Sequence, residues 1–145
     1  MYSHQIDMYR IMLLRIKRSV IRGGITINAK PILLISLFEL IGEGLIKNNQ
    51  VMISNEVEER YRAKYEELAP GEKVTPIYRP FYHLMSDGFW HLKMAEKLPA
   101  EKLTDRRLRT VTDYGYFDNV LWDILLMENT RDFYTKLLID NYLKK

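Results

Sequence analysis

The 145-residue sequence predicts a mainly α-helical fold with a small β-hairpin, forming a compact helical domain. Near the N-terminus apolar residues recur at spacings of three and four, which is typical of an amphipathic helix. The stretch Phe89–Lys93 alternates instead, which favours a strand. Hydrophobic residues make up 47% and charged residues 28%, enough apolar material for a core. We therefore expect residues 1–145 to form a single domain.

The first helix is predicted over about residues 2–22, and Gly23 with Gly24 would end it. Its apolar face repeats at intervals of three and four residues and comprises Ile6, Tyr9, Leu13, Ile16 and Val20. Three arginines at positions i, i+3 and i+7 of the same helix would form a basic stripe beside that face: Arg15, Arg18 and Arg22.

The second helix is predicted to begin near Pro31, because proline suits the first helical turn, where its missing N–H is no loss. Asn28 stands just upstream as its expected cap. Residues 32–41 are apolar on nearly every side, so this helix is expected to be buried at the centre of the domain. Gly42 and Gly44 would end it.

Later helices are predicted from the residues that would precede them. Ser54, Thr104 and Asp118 carry side chains that can accept hydrogen bonds from the first turn of a helix. The helix after Ser54 should run to about Leu68. The last helix is predicted from about Thr130 to Tyr142, with its inward residues expected to be Phe133, Leu137, Leu138 and Tyr142.

Basic residues are distributed unevenly along the chain, although the net charge is only +3. Residues 1–30 contain six basic residues and one acidic residue, and residues 78–110 contain seven and four. The two intervening segments, 31–77 and 111–145, have an excess of acids. If the basic segments meet in the folded chain, they form a cationic patch suited to phosphates. The alternative is two separate, solvated helix faces.

No motif of an enzyme is present, and we expect neither catalysis nor a cofactor. The chain contains no cysteine, which excludes thiol catalysis and zinc–thiolate sites. It has neither a phosphate-binding loop nor a nucleophile elbow. His83, Asp87 and His91 are spaced by four residues and would share one face of an unbroken helix, as a metal site requires. Asp87-Gly88 is a turn signal, however, so we expect that helix to break.

The sequence also predicts a cytoplasmic protein. No apolar run approaches the roughly 18–20 residues of a membrane span. The residues after Met1 lack the apolar segment of a signal peptide. The absence of cysteine fits a reducing compartment.

The densest aromatic stretch, Tyr78–His83, places rings beside cations. Such a surface can hold phosphate through Arg79 and pack rings against sugar or base edges. We expect Arg79, Tyr82 and His83 to be exposed for this purpose, while Tyr78 fits either environment. The neighbouring apolar residues are expected to belong to the core: Phe81, Leu84, Phe89 and Trp90.

Two motifs in this order resemble those of a known family. The first is Lys30-Pro31-Ile-Leu-Leu-Ile, and the second runs from Pro80-Phe81 through Ser86-Asp87-Gly88-Phe89-Trp90. Together they resemble the DNA sulfur-binding domain of McrA-type HNH restriction endonucleases. The Arg-rich segment around Arg109, Asp118 as a cap and a final helix ending in Tyr142-Leu143 extend the similarity over almost the whole chain.

The resemblance implies a restriction or defence protein that binds double-stranded DNA carrying a phosphorothioate linkage. It implies that Pro80 contacts the sulfur, that Arg79 and His83 flank the pocket, and that Lys30 contacts the DNA backbone. Our hypothesis extends this site to a reading pocket of Pro80, Tyr82, His83 and Tyr78, and to the backbone-binding residues Arg15, Arg18, Arg22, Lys30 and Arg79. Characterised members place an aromatic residue and a small residue where this chain has Arg79 and His83, so a more polar pocket is expected.

The family usually joins this domain to an HNH nuclease, and no such region follows Lys145 in this sequence. Cleavage would then come from a separate nuclease subunit or from a part of a longer protein. Three alternatives stay open. The chain could bind DNA without selecting sulfur. It could be a protein-interaction module for a nuclease, in which case an exposed apolar patch is expected around Tyr78–Phe81. It could also be a small metal nuclease built on His83, Asp87 and His91.

Overall fold

The computed structural model describes residues 2–21 and 23–143, and its elements confirm a mainly α fold with small β pairings. In chain order the helices and strands are α1 Ser3–Leu14, β1 Val20–Ile21, β2 Ile25–Thr26, α2 Ala29–Gly42, α3 Asn55–Leu68, α4 Tyr78–His83, β3 Trp90–Met94, α5 Asp105–Val111, β4 Thr112–Phe117, α6 Asn119–Leu125 and α7 Glu128–Leu138. A 3-10 turn, Leu84–Asp87, follows α4, and a π turn, Ile139–Leu143, follows α7.

Helix α2 forms the centre of the core, as its uniformly apolar sequence predicts. Residues 32–35 are completely buried, and α2 packs against α3, α4 and α7. Each large aliphatic side chain buried in this way contributes about 1.5–3 kcal/mol. The four residues expected in the core beside the aromatic stretch are also buried: Phe81, Leu84, Phe89 and Trp90.

Strands β3 and β4 pair antiparallel, with Trp90 opposite Phe117 and Leu92 opposite Gly115. The strand predicted near Phe89–Lys93 is therefore confirmed, but its partner β4 was not anticipated. Gly115 is needed for close packing, because a Cβ at this position would lie 2.2 Å from Cζ2 of Trp90. Val51 bridges to the other side of Gly115, so the loop before α3 extends this small sheet.

The prediction of one helix over residues 2–22 is wrong. Helix α1 ends at Leu14, and the chain forms the β1–β2 hairpin between Val20 and Thr26. Gly23 and Gly24, with φ of +89° and +78°, form the hairpin turn and do not end a helix. Valine, isoleucine and threonine favour strands, and two glycines tolerate the left-handed turn, so the local preferences overcome the helical spacing of Val20.

The predicted arginine stripe is also wrong, because α1 ends at Leu14, before the three arginines. Arg15 lies at the end of α1 and Arg18 lies between α1 and β1, outside any helix, so they share no helix face. Arg22 lies outside the described residues.

Two of the expected caps are confirmed. Oγ of Ser54 accepts a hydrogen bond from the backbone N–H of Val57, and Oγ1 of Thr104 accepts one from Arg107. Asn28 and Asp118 do precede helices, but their side chains form no cap hydrogen bond. Both side chains are engaged by other elements instead.

The inward position predicted for Phe133 is wrong, because 44% of this residue is exposed. Its neighbour Tyr134 takes the core position and donates a hydrogen bond from its hydroxyl to the carbonyl of Ile6 (2.8 Å). Leu138 is buried as predicted.

Among the described residues, the helices are all too short or too polar to cross a membrane.

Candidate nucleic-acid interface

A nearly buried ion pair joins the two basic segments of the chain. Nζ of Lys30 lies 2.7 Å from Oδ2 of Asp87, and the side chains are 12% and 1% exposed. The other carboxylate oxygen of Asp87 accepts a hydrogen bond from the backbone N–H of Lys17 (2.9 Å). Asp87 therefore ties the first turn of α2 and the segment after α1 to the turn that follows α4. The two basic segments meet at this point.

His83, the last residue of α4, lies close to two of the predicted cations. Its pKa is lowered mainly by burial and further by the positive charges of Lys30 and Arg79. The lowered pKa favours the neutral imidazole beside these cations. An anion bound here would reverse that effect and favour the protonated ring.

Arg79 projects from the same helix and is exposed. Its guanidinium carbon lies 5.3 Å from the centroid of the Tyr78 ring, within range of a cation–π contact. No carboxylate pairs with Arg79 in the part of the chain that the structure describes. This guanidinium is consequently available to a phosphate.

The residues predicted to form the reading pocket lie in helix α4 and not in a loop. Pro80 is buried in the fold, unlike the exposed Arg79 beside it. Tyr82 is half-buried, and its hydroxyl donates a hydrogen bond to the carbonyl of Leu98 (2.6 Å). The His83 ring packs edge-on against Tyr82, with centroids 5.1 Å apart. Tyr78 is also half-buried.

Arg18 is fixed on the surface next to the start of α2. Its Nη1 donates to Oδ1 of Asn28 (2.8 Å), and its guanidinium carbon lies 4.5 Å from the centroid of the Tyr142 ring. The Tyr142 hydroxyl donates to the carbonyl of Leu13 and accepts from the N–H of Ile16. Asn28 and Tyr142 therefore position the segment after α1.

Two further cations lie at the end of α1 and in the segment after it, which Asp87 holds through the backbone of Lys17. Arg15 and Lys17 are exposed, and neither side chain has a carboxylate partner among residues 2–21 and 23–143. We define the basic face as the surface formed by Arg15, Lys17, Arg18, Lys30, Arg79 and His83. Lys17 and the anchoring residue Asp87 were missed as members of this group, because their contacts span 70 residues of sequence.

The three residues of the proposed metal site do not come together. The 3-10 turn and Gly88, with φ of +95°, interrupt the helix that would have aligned them. Asp87 is paired with Lys30, and Nε2 of His91 lies 2.5 Å from Oδ1 of Asp118. Within the described residues, no group of three or more histidine, aspartate or glutamate side chains is placed to hold a metal ion.

The apolar patch expected of a protein-interaction module around Tyr78–Phe81 is also not formed. Pro80 and Phe81 are buried, and Arg79 occupies the exposed side of α4. The surface at this position is cationic.

No protein-family model matches this sequence, and no curated protein is similar enough to it to be identified as a relative.

Proposed function

We propose that this protein is a DNA-binding module that holds duplex DNA on the basic face. The observation that carries the proposal is the convergence of the two basic segments through the Lys30–Asp87 pair. Because Asp87 is almost completely buried, its carboxylate organises the cations without presenting negative charge to a ligand. Arg15, Lys17 and Arg79 then remain available to phosphates.

A sequence feature adds to this argument. Between Asp7 and Glu39 the chain contains no acidic residue, while this stretch supplies most of the basic face. A polyanion approaching the surface therefore meets few repulsive charges. Phosphate contacts of this kind provide most of the affinity of proteins for duplex DNA.

We further propose, from the resemblance of the motifs, that a phosphorothioate linkage is the preferred ligand. A non-bridging sulfur is large, polarizable and weakly hydrated, so an apolar ring can favour it while the remaining charge still needs cations. Pro80 provides such a ring immediately beside Arg79. Because Pro80 is buried, its contact with the sulfur requires α4 to shift when DNA binds.

The test is a titration with two duplexes that are identical except for one phosphorothioate linkage, at two salt concentrations. If about five phosphates are neutralised, the logarithm of the binding constant should fall with the logarithm of salt at a slope near −4.5. Tighter binding to the sulfur duplex, lost in Pro80→Ala and weakened in Arg79→Ala, is the expected result. Equal, salt-dependent binding would remove sulfur selectivity and leave a general DNA binder. A slope near zero would overturn DNA binding itself.

A further inference from the structure

The β1–β2 hairpin displays apolar side chains to solvent. Val20, Ile21 and Ile25 are 65%, 49% and 55% exposed. Ile21 and Ile25 are directly opposite each other and form a cross-strand pair on one face, whereas Val20 and its partner Thr26 lie on the other. A hairpin of this size gains little stability from such exposure, so a ligand that covers these side chains would explain their presence.

The hairpin projects from a fixed base. The N–H of Ile27 donates to the carbonyl of Ser19 and continues the pairing beyond the strands, and Arg18 bonds to Asn28 across the same base. At the turn, a Cβ added to Gly23 or Gly24 would meet no atom within 4 Å. The tip therefore stands in open space while its base adjoins the first turn of α2, where Lys30 lies.

The charge around the hairpin indicates the nature of its ligand. Lys17 and Arg18 immediately precede β1, and the whole stretch from residue 8 to residue 38 is free of acids. The hairpin is thus an apolar projection within a continuous basic segment. An apolar projection flanked by cations is complementary to a polyanion that has apolar groups inside a groove.

We propose that the β1–β2 hairpin enters the major groove of the duplex held on the basic face, where the cross-strand pair Ile21 and Ile25 contacts thymine methyl groups. This inference rests on the proposed function. The major groove is about 12 Å wide and admits a two-stranded ribbon, and the C5-methyl of thymine is its apolar base-edge group. The flanking cations bind the phosphates along the groove, while the apolar side chains give the protein a preference for A·T-rich sites.

The experiment compares an A·T-rich duplex with the same duplex in which uracil replaces every thymine, which removes the methyl groups and leaves the phosphates unchanged. Wild-type protein should bind the thymine duplex more tightly, by about fourfold for each methyl group buried. The double variant Ile21→Thr/Ile25→Thr keeps β-branched side chains in the strands and removes the apolar pair from one face. It should bind the thymine duplex less tightly and lose the difference between the two duplexes.

Leu45→Thr provides a matched control. Leu45 is 51% exposed and follows the C-terminal end of α2, at the opposite end of that helix from Lys30. This variant should behave as wild type towards both duplexes. Thermal unfolding of all three proteins checks that the substitutions leave the fold intact.

Each other outcome overturns the inference in a recognisable way. Equal binding of both duplexes by wild type, with no effect of the hairpin substitutions, rejects groove contact but leaves DNA binding by the basic face in place. Failure to bind any duplex rejects both proposals. Self-association that the hairpin substitutions abolish, without any difference between thymine and uracil, would identify the hairpin as an interface between two copies of this chain.

Discussion

Two charged regions of the molecule use their cations in opposite ways. On the surface shared by α2 and α3, Arg60 bonds to Glu39 and Glu43, and Lys64 bonds to Glu39 and Glu67. On the basic face, the only carboxylate among the described contacts is Asp87, and it is buried. The first region is neutralised within the protein, whereas the second retains charge for a ligand.

This difference shows why the net charge of +3 says little about function. Ion pairs whose carboxylates are exposed, such as those between α2 and α3, contribute little to stability and also attract no polyanion. The buried carboxylate of Asp87 instead binds Lys30 and the backbone of Lys17, and so holds the two basic segments together. The distribution of carboxylates therefore decides which of the basic residues can bind phosphate.

The largest expected effect separates the two regions by stability. Lys30→Met would leave the buried Asp87 carboxylate without its counter-ion and should lower the free energy of unfolding by about 3–5 kcal/mol. Arg60→Met removes a more exposed cation and should cost about 1 kcal/mol. Urea unfolding of both variants measures the difference.

The double variant Lys30→Met/Asp87→Asn provides the control. Asparagine keeps an acceptor for the Lys17 N–H but carries no charge, so much of the lost stability should return. Equal costs for Lys30→Met and Arg60→Met would contradict the distinction between the regions.

The next effect concerns affinity for DNA. Arg15→Gln/Arg79→Gln removes two exposed cations that have no described carboxylate partner, and should reduce the salt slope of duplex binding by about 1.8. Arg62→Gln removes a cation that is 69% exposed but lies near Glu58 on α3, and should leave the slope unchanged. Fluorescence anisotropy over a salt series gives both slopes. A comparable loss in Arg62→Gln would show that general charge, and not the basic face, determines binding.

The smallest effect compares two histidines. Burial, Lys30 and Arg79 lower the pKa of His83, so a phosphate beside this ring would favour its protonated form. DNA affinity should therefore rise severalfold as the pH falls below 6.5, the ordinary value for histidine. His83→Gln should abolish this rise, whereas His91→Gln, which removes a partner of Asp118, should leave it intact.

The same lowered pKa has the opposite consequence for folding. In the folded protein His83 binds a proton less readily than in the unfolded chain, so its contribution to stability is present above the ordinary pKa and is lost as the pH falls. Chemical unfolding at pH 7.5 and 5.5 measures this contribution. If the free energy of unfolding changes by the same amount between pH 7.5 and 5.5 in wild type and in His83→Gln, the assignment to His83 is wrong.

The sequence predicted those features whose physical signals are local. The uniform apolar pattern of α2 and the cap at Ser54 both lie within a few residues of the elements that they define. The strand Val20–Ile21 was predicted as part of a helix, because the position of Val20 fits a helical spacing as well as a strand. Strands β3 and β4 are separated in the sequence by α5 and the loop before it. Nothing in the sequence near either strand indicates which segment it pairs with.

The candidate site was predicted only in part for the same reason. Arg79 and His83 could be chosen from composition, since cations next to aromatic rings are visible in the sequence. The contact between Lys30 and Asp87 could not be predicted, because 57 residues separate them and either residue alone resembles an ordinary surface charge. The burial of Pro80 likewise results from packing of α4 against α2.

The most direct test of the account is amide hydrogen exchange of the full chain with and without a saturating phosphorothioate duplex. We expect slower exchange on DNA binding in residues 15–30 and in the segment after Tyr78 that includes Arg79 and His83. We expect no change in α3, where the cations are paired with glutamates. Protection centred on α3, or binding that protects neither basic segment, would contradict the account.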